Sequence, residues 1–175
     1  MIFKKMIFLL LAILYSPPVY GVDIQTLSYA DVVEAHSLPD PVLTPGSTRE
    51  VDVHTLCTTS TKLVRNVPES VKKQVYIEYG LPGGNHTGYC DPDGCEDDHL
   101  ISLELGGSND IKNQWIQPYG GVVWNAHVKD RYENFLHSRI CTGKMTIKEA
   151  QDEIRINWIE GYKKHPELPL PTGEK

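Results

Sequence analysis

Residues 96–113 read EDDHLISLELGGSNDIKN, and they gather the side chains of this chain best suited to chemistry. Asp98 sets a carboxylate directly beside the imidazole of His99. An apolar stretch follows, then the Gly106-Gly107 turn, then Asn113. Metal-assisted hydrolysis of a phosphodiester needs few parts. A carboxylate and a nitrogen or oxygen ligand hold a divalent ion, which stabilises the leaving oxygen and the charge of the crowded phosphorane. An imidazole of near-neutral pKa takes a proton from the attacking water. Neighbouring residues on a strand point to opposite faces. Asp98 and His99 can therefore divide these roles, one facing the ion and the other the water. A polar side chain such as Asn113 can bridge the turn and hold the His99 loop rigid. The plainer alternatives are a solvated Asp97-Asp98 pair, a structural His99 and a simple glycine turn.

With those residues named, DDHLISLELGGSNDIKNQW resembles the first half of the HNH (His-Asn-His, ββα-metal) nuclease motif. The downstream WNAHVKDRYENFLHSRICTGKMTIKEAQDEI resembles the helical part of exported bacterial HNH-like proteins. The resemblance runs from about residue 57 to about residue 162. It implies that Asp98 is a metal ligand, His99 the general base and Asn113 the residue that orients the base's loop. It places the second metal ligand at the start of the following helix, where Asn125 and His127 stand. Residues two apart on a helix face nearly opposite ways, so only one of these reaches an ion. Imidazole is the better transition-metal ligand, which favours His127. The implied cofactor is a divalent ion, Mg²⁺ first, with Mn²⁺, Zn²⁺ or Ni²⁺ as alternatives. Ser102 departs from the motif, which commonly has Pro there. Lys112, Lys129 and Arg131 flank the segment and are candidate phosphate contacts.

These residues must be positioned by a small set of elements. The Val- and Thr-rich residues 48–61 predict one or two short strands. Residues 66–79 predict a helix, with Pro68 in its first turn and Gly80 as its stop. Residues 95–105 predict a short strand running into a loop, and 113–117 a second short segment. A helix is predicted over 122–140, with Val128, Tyr132, Leu136 and Ile140 on one face. A last helix starts at Thr146, where Glu149 completes a capping box. Trp115, Trp124 and Trp158 read as core.

The chain ends frame this domain. Residues 1–21 carry Lys4, Lys5, an apolar run over 6–15 and a Ser16-Pro17-Pro18 break, the pattern of a secretory signal peptide. The run is shorter than the roughly 20 residues a permanent anchor needs, so no stable membrane anchor is expected after cleavage. Residues 22–47 predict a loosely structured lead, 48–164 the domain and 165–175 a mobile, Pro-rich tail. Export favours disulfides for the four cysteines. Cys90 and Cys95 bracket a turn-forming stretch and close a tight loop, leaving Cys57 for Cys141. The rival is a zinc knuckle using Cys90 and Cys95 with His86 or His99.

Charge constrains the partner. The chain has 17 basic and 23 acidic residues, net −6. Loss of Lys4 and Lys5 with the leader leaves 15 against 23, net −8. That balance argues against tight, non-specific binding of long duplexes. It does not exclude a nuclease that turns over. The expectation is thus an α+β fold with a ββα-metal (HNH-like) core, extra packed helices and disulfide staples. The expected activity is hydrolysis of DNA, or else RNA, by a secreted or periplasmic endonuclease. The alternatives are a non-catalytic, disulfide-stapled binding module on the same scaffold and a structural zinc protein.

Overall fold

A computed structural model describes residues 37–81, 90 and 93–172. The expected signal peptide, the first part of the lead, His86 and the last three residues lie outside the described residues. The fold is α+β: a two-stranded antiparallel sheet covered by helices and closed by two disulfides. In chain order the elements are α1 (Val53–Thr58), α2 (Glu69–Glu78), β1 (Cys95–His99), β2 (Gln114–Pro118), α3 (Ala126–Cys141) and α4 (Ile147–Lys163). The strands pair from Cys95 opposite Pro118 to His99 opposite Gln114.

Alternation along the strands gives the sheet two unlike faces. Trp115 points into the main core with Leu100, Ile101 and Leu105, against Val128, Tyr132 and Leu136 of α3 and Ile154, Trp158 and Tyr162 of α4. Ile116 and Cys95 point the other way, into a smaller cluster with Val75 of α2, Leu81 and Cys90. The sheet is thus sandwiched between α3 and α4 on one side and α2 on the other.

Local chemistry explains the helix starts. The Asn125 side chain accepts from Val128 N and begins α3. Thr146 and Glu149 form the predicted capping box of α4. Asn157 interrupts α4 with non-helical dihedrals, and its Oδ1 accepts from Ile159 N and Glu160 N, so it caps the final turns.

Residues 48–61 depart from the strand expectation. Only Thr48 makes a β-bridge, to Gly107, and the segment then turns into α1. Asp52 is the reason. Its carboxylate accepts from Thr55 N at 2.9 Å and Thr55 Oγ1 at 2.7 Å, which starts a helical turn. Leu56 buries in the core and Cys57 is bonded to Cys141. Tertiary packing outweighs the strand preference of Val and Thr.

Residues 37–47 are likewise tied down. Ser37 O accepts from Trp158 Nε1 at 2.8 Å, and Thr44 Oγ1 donates to Gln114 O at 2.7 Å. Tyr162 OH reaches Pro169 O at 2.7 Å, so the chain after α4 folds back on the core.

The disulfides are Cys57–Cys141 and Cys90–Cys95, the pairing expected from the turn between the latter two. The long bridge spans 84 residues, which a chain-entropy argument values at about 4–5 kcal/mol. Two disulfides point to an oxidising, non-cytoplasmic setting. No helix among the described residues is long and apolar enough to cross a membrane.

Candidate functional site

The loop after β1 is locked by Asn113, which is fully buried. Its Oδ1 accepts from Ile101 N at 2.9 Å, and its Nδ2 donates to Ile101 O and Ser108 O, each at 2.9 Å. Gly107 must be glycine, because a Cβ there would stand 1.7 Å from Ile101 O. Asn113 therefore fixes the backbone two residues beyond His99, as its place in the sequence suggests.

On the α3 face of β1, Asp98 meets Lys129. The Lys129 ammonium donates to Asp98 Oδ2 at 2.5 Å, to His99 O at 2.7 Å and to Glu133 Oε1. Lys129 is 0 % exposed. Burial alone would lower its pKa, but Asp98 and Glu133 outweigh burial and hold it above the usual lysine range. All three ammonium protons are used inside the protein, so Lys129 is not available to a phosphate. Lys112 and Arg131 are exposed, and neither lines the cleft described next.

On the α2 face, Asp97 and His99 stand two residues apart on β1. A cleft of about 940 Å³ opens there between the strand and α2, lined by Arg65, Lys72, Lys73, Tyr76, Asp97 and Gln114 among others. Four buried polar atoms on this face lack a hydrogen-bond partner in the protein: Asp97 Oδ1, His99 Nδ1 and both amide atoms of Gln114. Asp97, His99 and Gln114 are close neighbours, since His99 and Gln114 are directly paired across the strands. Unpaired buried polar groups are uncommon, and a group of them points to bound water or ligand. Gln117, on the α3 face, also lacks partners, and nothing here explains it.

The tautomer of His99 follows from its neighbour. Asn109 Nδ2 donates to Val64 O at 2.8 Å, which turns Asn109 Oδ1 toward His99. His99 Nε2 lies 3.2 Å from that oxygen, so Nε2 carries the hydrogen and Nδ1 the free lone pair. Burial pushes the His99 pKa down to about 4, against the raising effects of Asp98 and Asn109. The Asp97 carboxyl is pushed up to about 7 by burial and then by Asp98, against Lys72 and Arg65. Glu96, on the opposite face, is also pushed up to about 7, by burial and by Asp98 and Asp130. Near pH 6 this strand face thus carries a largely protonated Asp97 carboxyl that lines the cleft and a neutral His99 imidazole buried behind it.

A divalent ion held by Asp98 with a residue from the start of α3 does not fit this arrangement. Asp98 is already paired with Lys129. Asn125 spends Oδ1 on the helix cap and Nδ2 on Val122 O. His127 is exposed and stacks on Tyr119 at 5.9 Å. Among the described residues, one group brings three ligand atoms within 4.8 Å of one another: Cys57, His137 and Cys141. These atoms are close enough to hold a metal ion, but as a disulfide the two sulfurs are not thiolates. Cys90 and Cys95 are likewise bonded to each other, which removes the zinc knuckle.

Sequence reasoning did not single out Arg65, Lys72, Lys73, Asp97, Asn109 or Gln114 as site residues. The alternation of β1 offered a signal for Asp97, which shares the face of His99. Arg65, Lys72 and Lys73 arrive through the packing of α2 and leave no local signal. No family model, no curated protein and no solved structure matches this chain.

Proposed function

We propose that the protein is an exported nuclease that hydrolyses phosphodiester bonds of nucleic acid at the cleft between β1 and α2. One observation carries this reading: unpartnered polar atoms of Asp97 and Gln114 line a cleft to which Arg65, Lys72 and Lys73 bring positive charge beside Glu69 and Glu96, and the unpartnered His99 Nδ1 lies on the same strand face. The resemblance to HNH nucleases, centred on Asp98-His99 and Asn113, supports the same reaction class.

The residues divide the work by their displaced acidities. Arg65 and the two lysines bind the non-bridging phosphate oxygens. His99 Nδ1 takes a proton from water as the water oxygen attacks phosphorus. The phosphorus–oxygen bond to the leaving group breaks, and Asp97 gives that oxygen its proton. Proton return from His99 to Asp97 through solvent resets the pair. Asn109 is a positioning residue, because it fixes the tautomer. Asp98 takes no part in these steps, since it is engaged by Lys129.

Incubation with single-stranded and duplex DNA and with RNA tests the proposal. His99→Ala is expected to lower turnover by about 10²–10⁴, the usual worth of a general base, with an unchanged circular dichroism spectrum. Unaltered cleavage by that variant removes His99 from the reaction. A non-catalytic binding module is the second reading. The 2 % exposure of His99 favours it, because a reactant must reach a nearly closed imidazole. Binding of oligonucleotides without cleavage by any preparation decides for the module.

A further inference from the structure

The Asp98 pocket already contains a cation. Lys129 Nζ is enclosed by two carboxylate oxygens and a carbonyl oxygen, from Asp98, Glu133 and His99. The side chains of Asp98 and Glu133 are 15 % and 10 % exposed, and that of Lys129 is 1 % exposed. Carboxylate and carbonyl oxygens are the donor set of a hard divalent ion. α3 does return to Asp98, as the resemblance leads one to expect. What it brings is an ammonium group from its first turns rather than an imidazole or an amide.

We infer that Lys129 is the built-in cation of the Asp98 pocket, and that removing its ammonium converts the three oxygens into a divalent-cation site. The physical case is one of matched replacement. The ammonium supplies one positive charge and three donors to three acceptors, so every group in the pocket is satisfied. A divalent ion cannot enter without expelling the lysine head into an interior that offers it no other partner. With the head removed, two carboxylates face each other across a cavity, and neutralising them favours ion entry. Carboxylate and carbonyl oxygens in a site not built to octahedral geometry suit Ca²⁺, whose coordination is flexible, better than Mg²⁺, which demands a near-ideal octahedron.

The inference concerns ion binding and stands apart from whether the protein cleaves nucleic acid. The experiment follows thermal unfolding and amide NMR spectra of the full exported chain, wild type and Lys129→Ala, during titration with CaCl₂ and MnCl₂. Wild type is expected to show no saturable ion-dependent rise in Tm, and Mn²⁺ should not broaden Asp98, His99 and Lys129 selectively. Lys129→Ala is expected to gain roughly 5–10 °C at saturating Ca²⁺, the rise that ligand linkage gives a domain of this size. If that variant folds only when Ca²⁺ or Mn²⁺ is added, the pocket has accepted the ion and the inference stands. If the variant is folded and binds neither ion, or fails to fold with or without them, the conversion to an ion site is wrong. One-equivalent Mn²⁺ broadening centred on Asp98 in wild type, removed by Asp98→Asn, overturns the role of Lys129.

Discussion

The two faces of β1 carry carboxylates in consecutive positions and treat them in opposite ways. Asp98, on the α3 face, is closed off by a buried lysine that satisfies it and Glu133 together. Asp97, on the α2 face, keeps an unpartnered oxygen on the same face as an unpartnered imidazole nitrogen and opens on a cleft lined by three cations together with Glu69 and Glu96. A saturated ion cluster holds structure, and its loss is felt as stability. An unsaturated cluster beside a cleft has capacity left for a ligand, and its loss is felt as function. The more conspicuous residue of the pair in the sequence, Asp98 next to His99, is on this view the structural one.

The largest expected effect breaks the saturated face. Lys129→Ala strands two carboxylates in a nearly closed pocket and should cost about 3–5 kcal/mol in urea unfolding at neutral pH without added divalent ions. A loss below about 1 kcal/mol, the worth of an exposed pair, would mean that the cluster is not buried as described.

The next effect reads the α2 face by pH. His99 has its pKa lowered to about 4, so the folded protein resists protonation there and loses stability as pH falls from about 6.5 toward 4. Asp97 has its pKa raised to about 7, so the folded protein resists ionisation there and loses stability as pH rises from about 4 through 7. Asp97→Asn should therefore flatten the alkaline side of the stability profile. In catalysis the same two groups set a window: kcat/KM should be highest between about 4 and about 7 and fall above it. A rate that climbs steadily through pH 8 would rule out Asp97 as the acid.

The smallest effect sharpens the reading of His99. Asn109→Ala removes the acceptor that fixes the Nε2–H tautomer and should lower kcat about fivefold, the worth of one hydrogen bond of about 1 kcal/mol. Asn109→Asp keeps an acceptor and adds a negative charge, so it should restore activity and move the acidic limb of the pH profile upward. Equal loss in both variants, with an unmoved limb, would reduce Asn109 to a structural contact.

What the sequence made legible was local. The capping box at Thr146, the tight Cys90–Cys95 loop and the turn-bridging amide of Asn113 each rest on residues close in the chain. The strand forecast over 48–61 failed because the Asp52 cap and the burial of Leu56 decide that segment, and the burial depends on α3 being in place. The sequence marks Lys129 as a candidate phosphate contact, because its pairing with Asp98 and the His99 carbonyl exists only once α3 packs against β1. The cleft was illegible for a related reason. Arg65 and the two lysines are distant from Asp97 in sequence and line one cleft with it only once α2 and the segment before it pack against the sheet.

Comparing Asp97→Asn with Asp98→Asn tests the central claim most directly. Cleavage per folded molecule would be measured with EDTA present, beside urea midpoints for both variants. Asp97→Asn is predicted to abolish cleavage with no loss of stability, and Asp98→Asn to lower the midpoint while its folded fraction still cleaves. Loss of cleavage in Asp98→Asn alone, with wild-type activity that EDTA removes and Mn²⁺ restores, would contradict the account and return the reaction to the α3 face.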